Sequence, residues 1–177
     1  MKQLRSLSPR GLLLATFCII VSPNLSIAGT TTCATTAGST QLDFWLGNWS
    51  VGSGGSQATG HSKVFHSLDG CLLMETWGSN TTGHKGENTL AYSADDKSWH
   101  GLFVDNHGRV HALHGSVNAS SATLEGPGTD ADGKPVLVRV KVVRATPDRV
   151  LQIWEKSTDS GASWTTQVQM DYSRTKP

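Results

Sequence analysis

The chain has 177 residues, of which 15 are Lys or Arg, 14 are Asp or Glu and 3 are Cys. Its charges are nearly balanced and form no basic cluster, which argues against nucleic acid or an anionic membrane surface as a partner. The length suits one domain with a single core.

Residues 1–28 have the layout of a secretory signal peptide. A basic start precedes an apolar run over 11–21, and Ser26-Ile27-Ala28 forms a small-x-small cleavage site. The apolar run is too short to span a bilayer, so a membrane anchor is the weaker alternative. Cleavage would leave 149 of the 177 residues, with 12 basic against 14 acidic side chains. We expect an exported protein, periplasmic or extracellular, with no membrane partner after cleavage.

Two cysteines, Cys33 and Cys71, would remain after cleavage, in a compartment where disulfides persist. Residues 29–40 are rich in Thr, Ala and Gly without an apolar period, which predicts a flexible arm. A Cys33–Cys71 disulfide would tie this arm to the domain and stabilise it by about 3–4 kcal/mol. Two free thiols are the alternative.

The domain itself is expected over 41–177. Short runs that alternate apolar and polar side chains are separated by turn residues about every 8–12 positions, a pattern typical of an all-β sandwich or barrel. Short turns favour an antiparallel up-and-down barrel of about ten strands, wide enough for a pocket. The predicted strands are 48–53, 58–67, 71–78, 85–93, 98–105, 109–116, 122–126, 135–144, 149–157 and 164–172.

The first predicted strand opens with Gly47-Asn48-Trp49. This motif resembles the Gly-x-Trp opening of lipocalins and their calycin relatives, in which the Trp closes one barrel end beneath a basic residue from the last strand. The resemblance assigns that place to Arg174, whose guanidinium would stack favourably on Trp49. Residues 43–46 would form a short plug just before the strand.

Further motifs follow in the order Gly70-Cys71-x-Leu73-x-Glu75-x-Trp77, Glu155-x-Ser157-x-Asp159-x-Gly161-x-x-Trp164 and Tyr172-x-Arg174. The series is similar to that of an uncharacterised bacterial family of secreted lipocalin-like (calycin) barrels, over Cys33 to Arg174. The resemblance implies a fold and an exported setting, without an established activity.

A more distant resemblance is to the nitrobindin group, ten-stranded barrels that hold haem through a histidine late in the chain. All seven histidines of this chain lie between His61 and His114. No position therefore matches the haem ligand of that group, and we expect no cofactor.

Residues 157–164 match the Asp-box pattern S-x-D-x-G-x-x-W. In this motif the Asp accepts hydrogen bonds from turn N–H groups, the Gly takes a left-handed conformation and the Trp packs below. One box in a chain of this length cannot build a propeller. We therefore assign Asp159, Gly161 and Trp164 to structure.

The histidines raise the question of a metal site, above all in His107-x-x-x-His111-x-x-His114. On a strand, His111 and His114 face opposite sides, and His107 lies in a turn, so the three do not easily converge. Across the hairpin, His100 could lie near His114. We expect surface or hydrogen-bonded histidines and no metal.

Two glutamates are candidate polar anchors inside the barrel. Glu75 shares a strand face with Leu73 and Trp77, and burial there would raise its pKa and suit it to proton transfer. Glu155 shares a face with Ile153. The alternative for both is a structural partnership with an Arg such as Arg139 or with backbone groups.

Our leading hypothesis is a barrel that binds a small, largely apolar ligand in its interior. An acid/base enzyme such as an isomerase, cyclase or hydrolase, with Glu75 as the candidate catalytic residue, is the alternative. A protein-interaction module is a third class, and the oligomeric state stays open. Asp105 either binds the ligand or caps its turn. The predicted ligand-binding residues are Glu75, Trp77, Phe103, Asp105, Trp154 and Glu155.

Overall fold

A computed structural model describes residues 33, 36, 38–54 and 58–176. The predicted signal peptide, residues 1–28, and most of the predicted arm lie outside the described residues. Within the described part of the chain, no helix has the length and apolar character needed to cross a bilayer.

The described residues form ten antiparallel strands that close into a single barrel. Each strand pairs with its neighbours in sequence, and the first pairs with the last to complete the ring. The all-β, up-and-down prediction is therefore confirmed. The strands are β1 (Gly47–Ser53), β2 (Gly60–Ser67), β3 (Leu72–Ser79), β4 (Lys85–Ser93), β5 (Ser98–Asp105), β6 (Val110–Val117), β7 (Ser121–Thr129), β8 (Pro135–Thr146), β9 (Arg149–Ser157) and β10 (Thr165–Arg174).

Strict alternation along the strands separates the core from the outer surface. On β8, the valines at positions 136, 138, 140 and 142 are buried, whereas Arg139 and Lys141 between them are not. This alternation is what a closed sheet with one face inward requires. It also identifies the inward face of β7 and β9, because Val140 pairs with Leu124 and with Trp154.

One end of the barrel is closed by aromatic side chains. The Arg174 guanidinium lies 4.2 Å from the Trp49 ring centroid and donates a 2.8 Å hydrogen bond to the Leu46 carbonyl. The Trp49 indole N–H donates to the carbonyl of Trp45, in a short 3-10 helix over Asp43–Trp45, at 2.9 Å. Both indoles meet the Tyr172 ring edge to face. The predicted plug and the predicted stack are both present.

A disulfide joins Cys33 to Cys71 at this closed end. Cys71 directly follows a 3-10 turn over Leu68–Gly70, which connects β2 to β3. The bridge spans 38 residues of sequence, so it restricts the unfolded chain substantially. The predicted pairing is confirmed.

The Asp-box forms the connection between β9 and β10. The Asp159 carboxylate accepts a 2.8 Å hydrogen bond from the backbone N–H of Ser163, and Gly161 has a φ of 91°. The Trp164 indole donates to the Gly161 carbonyl at 3.1 Å, and the Arg139 guanidinium lies 3.9 Å from the Trp164 ring centroid. These contacts are those of a structural brace on the outside of the barrel.

Replacement of Arg174 by Ala should lower the free energy of unfolding by about 1–3 kcal/mol, because a partly buried cation–π contact and a charged hydrogen bond are lost. Arg144→Ala, at an exposed position on β8, is the matched control and should change it by less than about 0.5 kcal/mol. Urea unfolding of both variants measures the difference. Equal effects would contradict a closing role for Arg174.

Candidate functional site

A cavity of about 1000 Å³ occupies the interior at the end opposite Trp49. Turn residues such as Gly108, between β5 and β6, and Asp130, between β7 and β8, stand at its mouth. Its volume is that of a site for a small organic molecule. The aromatic and aliphatic side chains on its walls include Trp77, Phe103, Val136, Val138, Trp154 and Met170.

A buried polar network lies beneath this cavity and is centred on Glu75, which is fully buried. Its Oε1 accepts hydrogen bonds from the Ser62 hydroxyl at 2.7 Å and from the Tyr172 hydroxyl at 2.8 Å. Its Oε2 accepts from the Asn88 amide at 2.6 Å. Asn88 and Gln152 line the cavity, whereas Glu75 is not among the lining residues. Glu75 therefore lies behind Asn88 and Gln152, on the side of these residues away from the cavity.

Burial raises the pKa of Glu75 above its ordinary 4.5, although hydrogen bonds from Ser62, Asn88 and Tyr172 and the nearby Gln152 amide act in the opposite direction. Desolvation of the charged carboxylate outweighs these donors. The prediction that Glu75 points into the barrel is correct, and the Arg139 partnership considered for it does not occur.

Two polar atoms on the cavity walls have no hydrogen-bond partner among the described residues, namely Gln152 Nε2 and His111 Nδ1. The orientation of the Gln152 amide is set by Trp154, whose indole N–H donates to Gln152 Oε1 at 2.9 Å. Gln152 is 1% exposed, so neither water nor a guest reaches its N–H unless the side chain turns, and in its present orientation the amide lies near Glu75. Burial, aided by the charge of Arg109, lowers the pKa of His111 below 6.5. A neutral imidazole and a free amide N–H thus flank the Trp154 ring.

Trp154 is also the centre of the aromatic wall. Its ring meets Phe103 edge to face with centroids 5.1 Å apart, and the His111 ring lies 5.6 Å from it on another side. Of the six predicted ligand-binding residues, all but Glu75 line the cavity, namely Trp77, Phe103, Asp105, Trp154 and Glu155. Gln152, Asn88 and His111 also line the cavity, and none of them was among the predicted ligand-binding residues.

Glu155 was expected inside the barrel, and this expectation is wrong. Gln152 and Trp154 face inward, so the alternation of β9 turns the Glu155 side chain to the outer surface, although the residue borders the cavity. Its carboxylate pairs with Arg139 at 2.6 Å and with Lys141 at 3.0 Å. Burial raises its pKa, but these two cations outweigh burial and hold the pKa below its ordinary value.

Asp105 caps its turn, which is one of the two roles that the sequence left open, and the residue also lines the cavity mouth. Its Oδ1 accepts the backbone N–H groups of His107 at 2.9 Å and of Arg109 at 3.1 Å, which caps the turn between β5 and β6. Its Oδ2 lies 2.6 Å from Arg109 Nε and 3.0 Å from His84 Nε2, at the mouth of the cavity. His84, on the loop before β4, packs edge to face with Trp77, with ring centroids 4.8 Å apart.

In comparisons with known proteins, no family model and no curated protein matches the chain. The closed ten-stranded antiparallel barrel is consistent with a calycin-like fold. Function is therefore inferred from the cavity and the side chains around it.

The raised pKa of Glu75 gives a pH dependence with a definite sign. The folded state binds the Glu75 proton more tightly than the unfolded state does. The contribution of this proton to the free energy of unfolding is therefore complete below about pH 4.5 and is lost as pH rises through the pKa of Glu75 in the folded state. Glu75→Gln cannot ionise and should lack this decline in the free energy of unfolding.

Urea unfolding between pH 4 and 8 measures this difference. Glu87→Gln, at an exposed position on β4, is the matched control and should keep the decline of the unsubstituted protein. Identical pH profiles for all three proteins would show that the Glu75 proton is not held more tightly in the folded state.

Proposed function

We propose that this protein is an exported barrel that takes a small, largely apolar molecule with a hydrogen-bond acceptor into its interior. The observation that carries the proposal is the cavity of about 1000 Å³, with aromatic and valine walls and an unpaired amide N–H on Gln152. Sites for small molecules have this character, an apolar enclosure with a few placed polar groups.

The mouth of the cavity suits an apolar guest. Val168, which pairs with the inward-facing Trp154, is 38% exposed and lines the entrance. Val136 and Val138 continue the apolar surface inward from it. A hydrophobic molecule would bury this surface together with its own, which is the main driving force for its entry.

The two unpaired polar atoms define what the guest must offer. Gln152 Nε2 is a donor, so a carbonyl, ester or carboxylate oxygen would satisfy it once the amide turns toward the cavity. In neutral His111 one ring nitrogen donates a hydrogen bond and the other accepts one, and the tautomer decides which is which. A saturated hydrocarbon would leave the buried donor unpaired, as it is in the free protein, and would forgo a hydrogen bond worth about 0.5–1.5 kcal/mol.

Export and family membership form part of the same proposal. The Cys33–Cys71 disulfide supports an oxidising compartment, periplasmic or extracellular, and residues 1–28 supply the expected signal peptide. The Gly47-Asn48-Trp49 opening with Arg174 over the indole supports membership of the secreted lipocalin-like group that the motifs resemble.

An acid/base enzyme is the second candidate, and the raised pKa of Glu75 is the observation that favours it. Asn88 and Gln152 line the cavity while Glu75 does not, so a substrate would reach the carboxyl only if one of these amides moved. This geometry favours binding over catalysis by Glu75.

The binding proposal is tested with N-phenyl-1-naphthylamine, an apolar dye whose fluorescence rises in a hydrophobic site. The unsubstituted protein should bind one dye per barrel, and Val138→Phe should weaken binding at least about tenfold by filling the cavity. Leu102→Phe adds the same ring on the outer surface, where Leu102 is 44% exposed, and should leave the affinity unchanged.

Equal dye binding by both variants would place the dye on the outer surface and contradict an interior site. Native mass spectrometry of freshly purified protein provides the complementary measurement, in which a co-purified small molecule would appear as an added mass.

A further inference from the structure

A second group of side chains at the mouth of the cavity is not used by the proposed ligand site. His84, from the β3–β4 loop, meets Asp105 and His107, from the end of β5 and the turn after it. One donor atom from each of the three lies within 4.8 Å of the others. The pairing of Gly86 with Asp105 across β4 and β5 brings the two loops together.

We propose that His84, Asp105 and His107 form a binding site for a first-row divalent transition metal such as Zn²⁺ at the rim of the barrel. Two imidazoles and one carboxylate are a donor set that Zn²⁺ and its neighbours accept, with water in a remaining position. Mg²⁺ and Ca²⁺ prefer oxygen donors alone and do not fit this set.

The distances agree with coordination after small side-chain movements. Ligand atoms about 2.0–2.1 Å from a tetrahedral ion lie roughly 3.3 Å from one another. His84 Nε2 and Asp105 Oδ2 are 3.0 Å apart. The His107 ring lies 4.4 Å from the His84 ring, between centroids, and is exposed in its turn, so rotation of its side chain can bring a nitrogen closer.

Asp105 is already oriented for such a role. Its Oδ1 is held by the backbone N–H groups of His107 and Arg109, and its Oδ2 is directed toward His84. Outer hydrogen bonds of this kind fix the direction of a metal-binding carboxylate. Asp105 and His84 both line the cavity mouth, so a bound ion would lie at the rim of the interior.

Arg109 occupies the position where the ion would bind. Its Nη2 lies 3.0 Å from His84 Nε2, while its Nε lies 2.6 Å from Asp105 Oδ2. A single Nε2 atom cannot donate to Asp105 and accept from Arg109 at once, so this arrangement leaves one contact unsatisfied. The Arg109 side chain is 60% exposed and can swing into solvent. Arg109 should therefore compete with the metal.

The experiment is isothermal titration of the untagged, metal-stripped protein with Zn²⁺, with Co²⁺ absorption as a report on coordination. One ion per chain is expected. His84→Ala and His107→Ala should each weaken binding by more than the roughly 10- to 100-fold that follows loss of an outer hydrogen-bond partner. Arg109→Gln should strengthen binding, a change that misfolding cannot produce.

His100→Ala is the matched control, because His100 stacks on His114 on the outer surface with centroids 6.2 Å apart. It should leave Zn²⁺ affinity unchanged. Absence of stoichiometric binding, equal affinity in His84→Ala, loss in His100→Ala or weaker binding in Arg109→Gln would each overturn the proposal. The measurement involves no organic ligand, so its failure leaves the interior site untouched.

Discussion

The stack of the Arg174 guanidinium on the Trp49 indole lies where the first and last strands meet. These two residues are register partners in the β1–β10 pairing that closes the ring. Because Arg174 also holds the Leu46 carbonyl, the segment that precedes β1 is fixed across the same barrel end. The same contacts of Arg174 therefore close both the sheet and one end of the barrel. The opposite end holds the cavity.

The Glu75 network connects the closed end to the cavity. Tyr172 packs its ring against Trp45 and Trp49 and donates its hydroxyl to Glu75. Glu75 in turn accepts from Asn88, which lines the cavity. A fully buried carboxyl is costly, and its donors offset part of that cost. This polar layer therefore marks the depth at which tight packing gives way to open space.

Sequence periodicity predicted the fold well because a closed sheet imposes a period of two on every strand. β4, β5 and β9 begin and end where they were predicted. β7 was predicted to end at Gly126, but it continues through Pro127-Gly128 to Thr129. In the barrel, Pro127 faces outward, and a Cβ at Gly128 would lie 2.5 Å from Val138, so the glycine lets the strand continue beside that side chain.

The site was harder to predict, since alternation shows which residues share a face but not which face is inside. Glu75 was placed correctly because its neighbours Leu73 and Trp77 are apolar. Glu155 was placed wrongly because Ile153, on the same face, is apolar but lies outside. The approach of His84 to Asp105 depends on the register between two hairpins, which no local pattern encodes.

The most direct test of an interior site at the open end is an NMR titration of the ¹⁵N-labelled protein with 2-decanone, an apolar chain with one carbonyl acceptor. The signals to follow are those of the tryptophan indole N–H groups. The indole signals of Trp77 and Trp154 should shift, since both line the cavity and Trp154 donates to Gln152. Those of Trp45 and Trp49, at the closed end, should stay in place. Shifts confined to Trp45 and Trp49, or none at saturating ketone, would contradict the account.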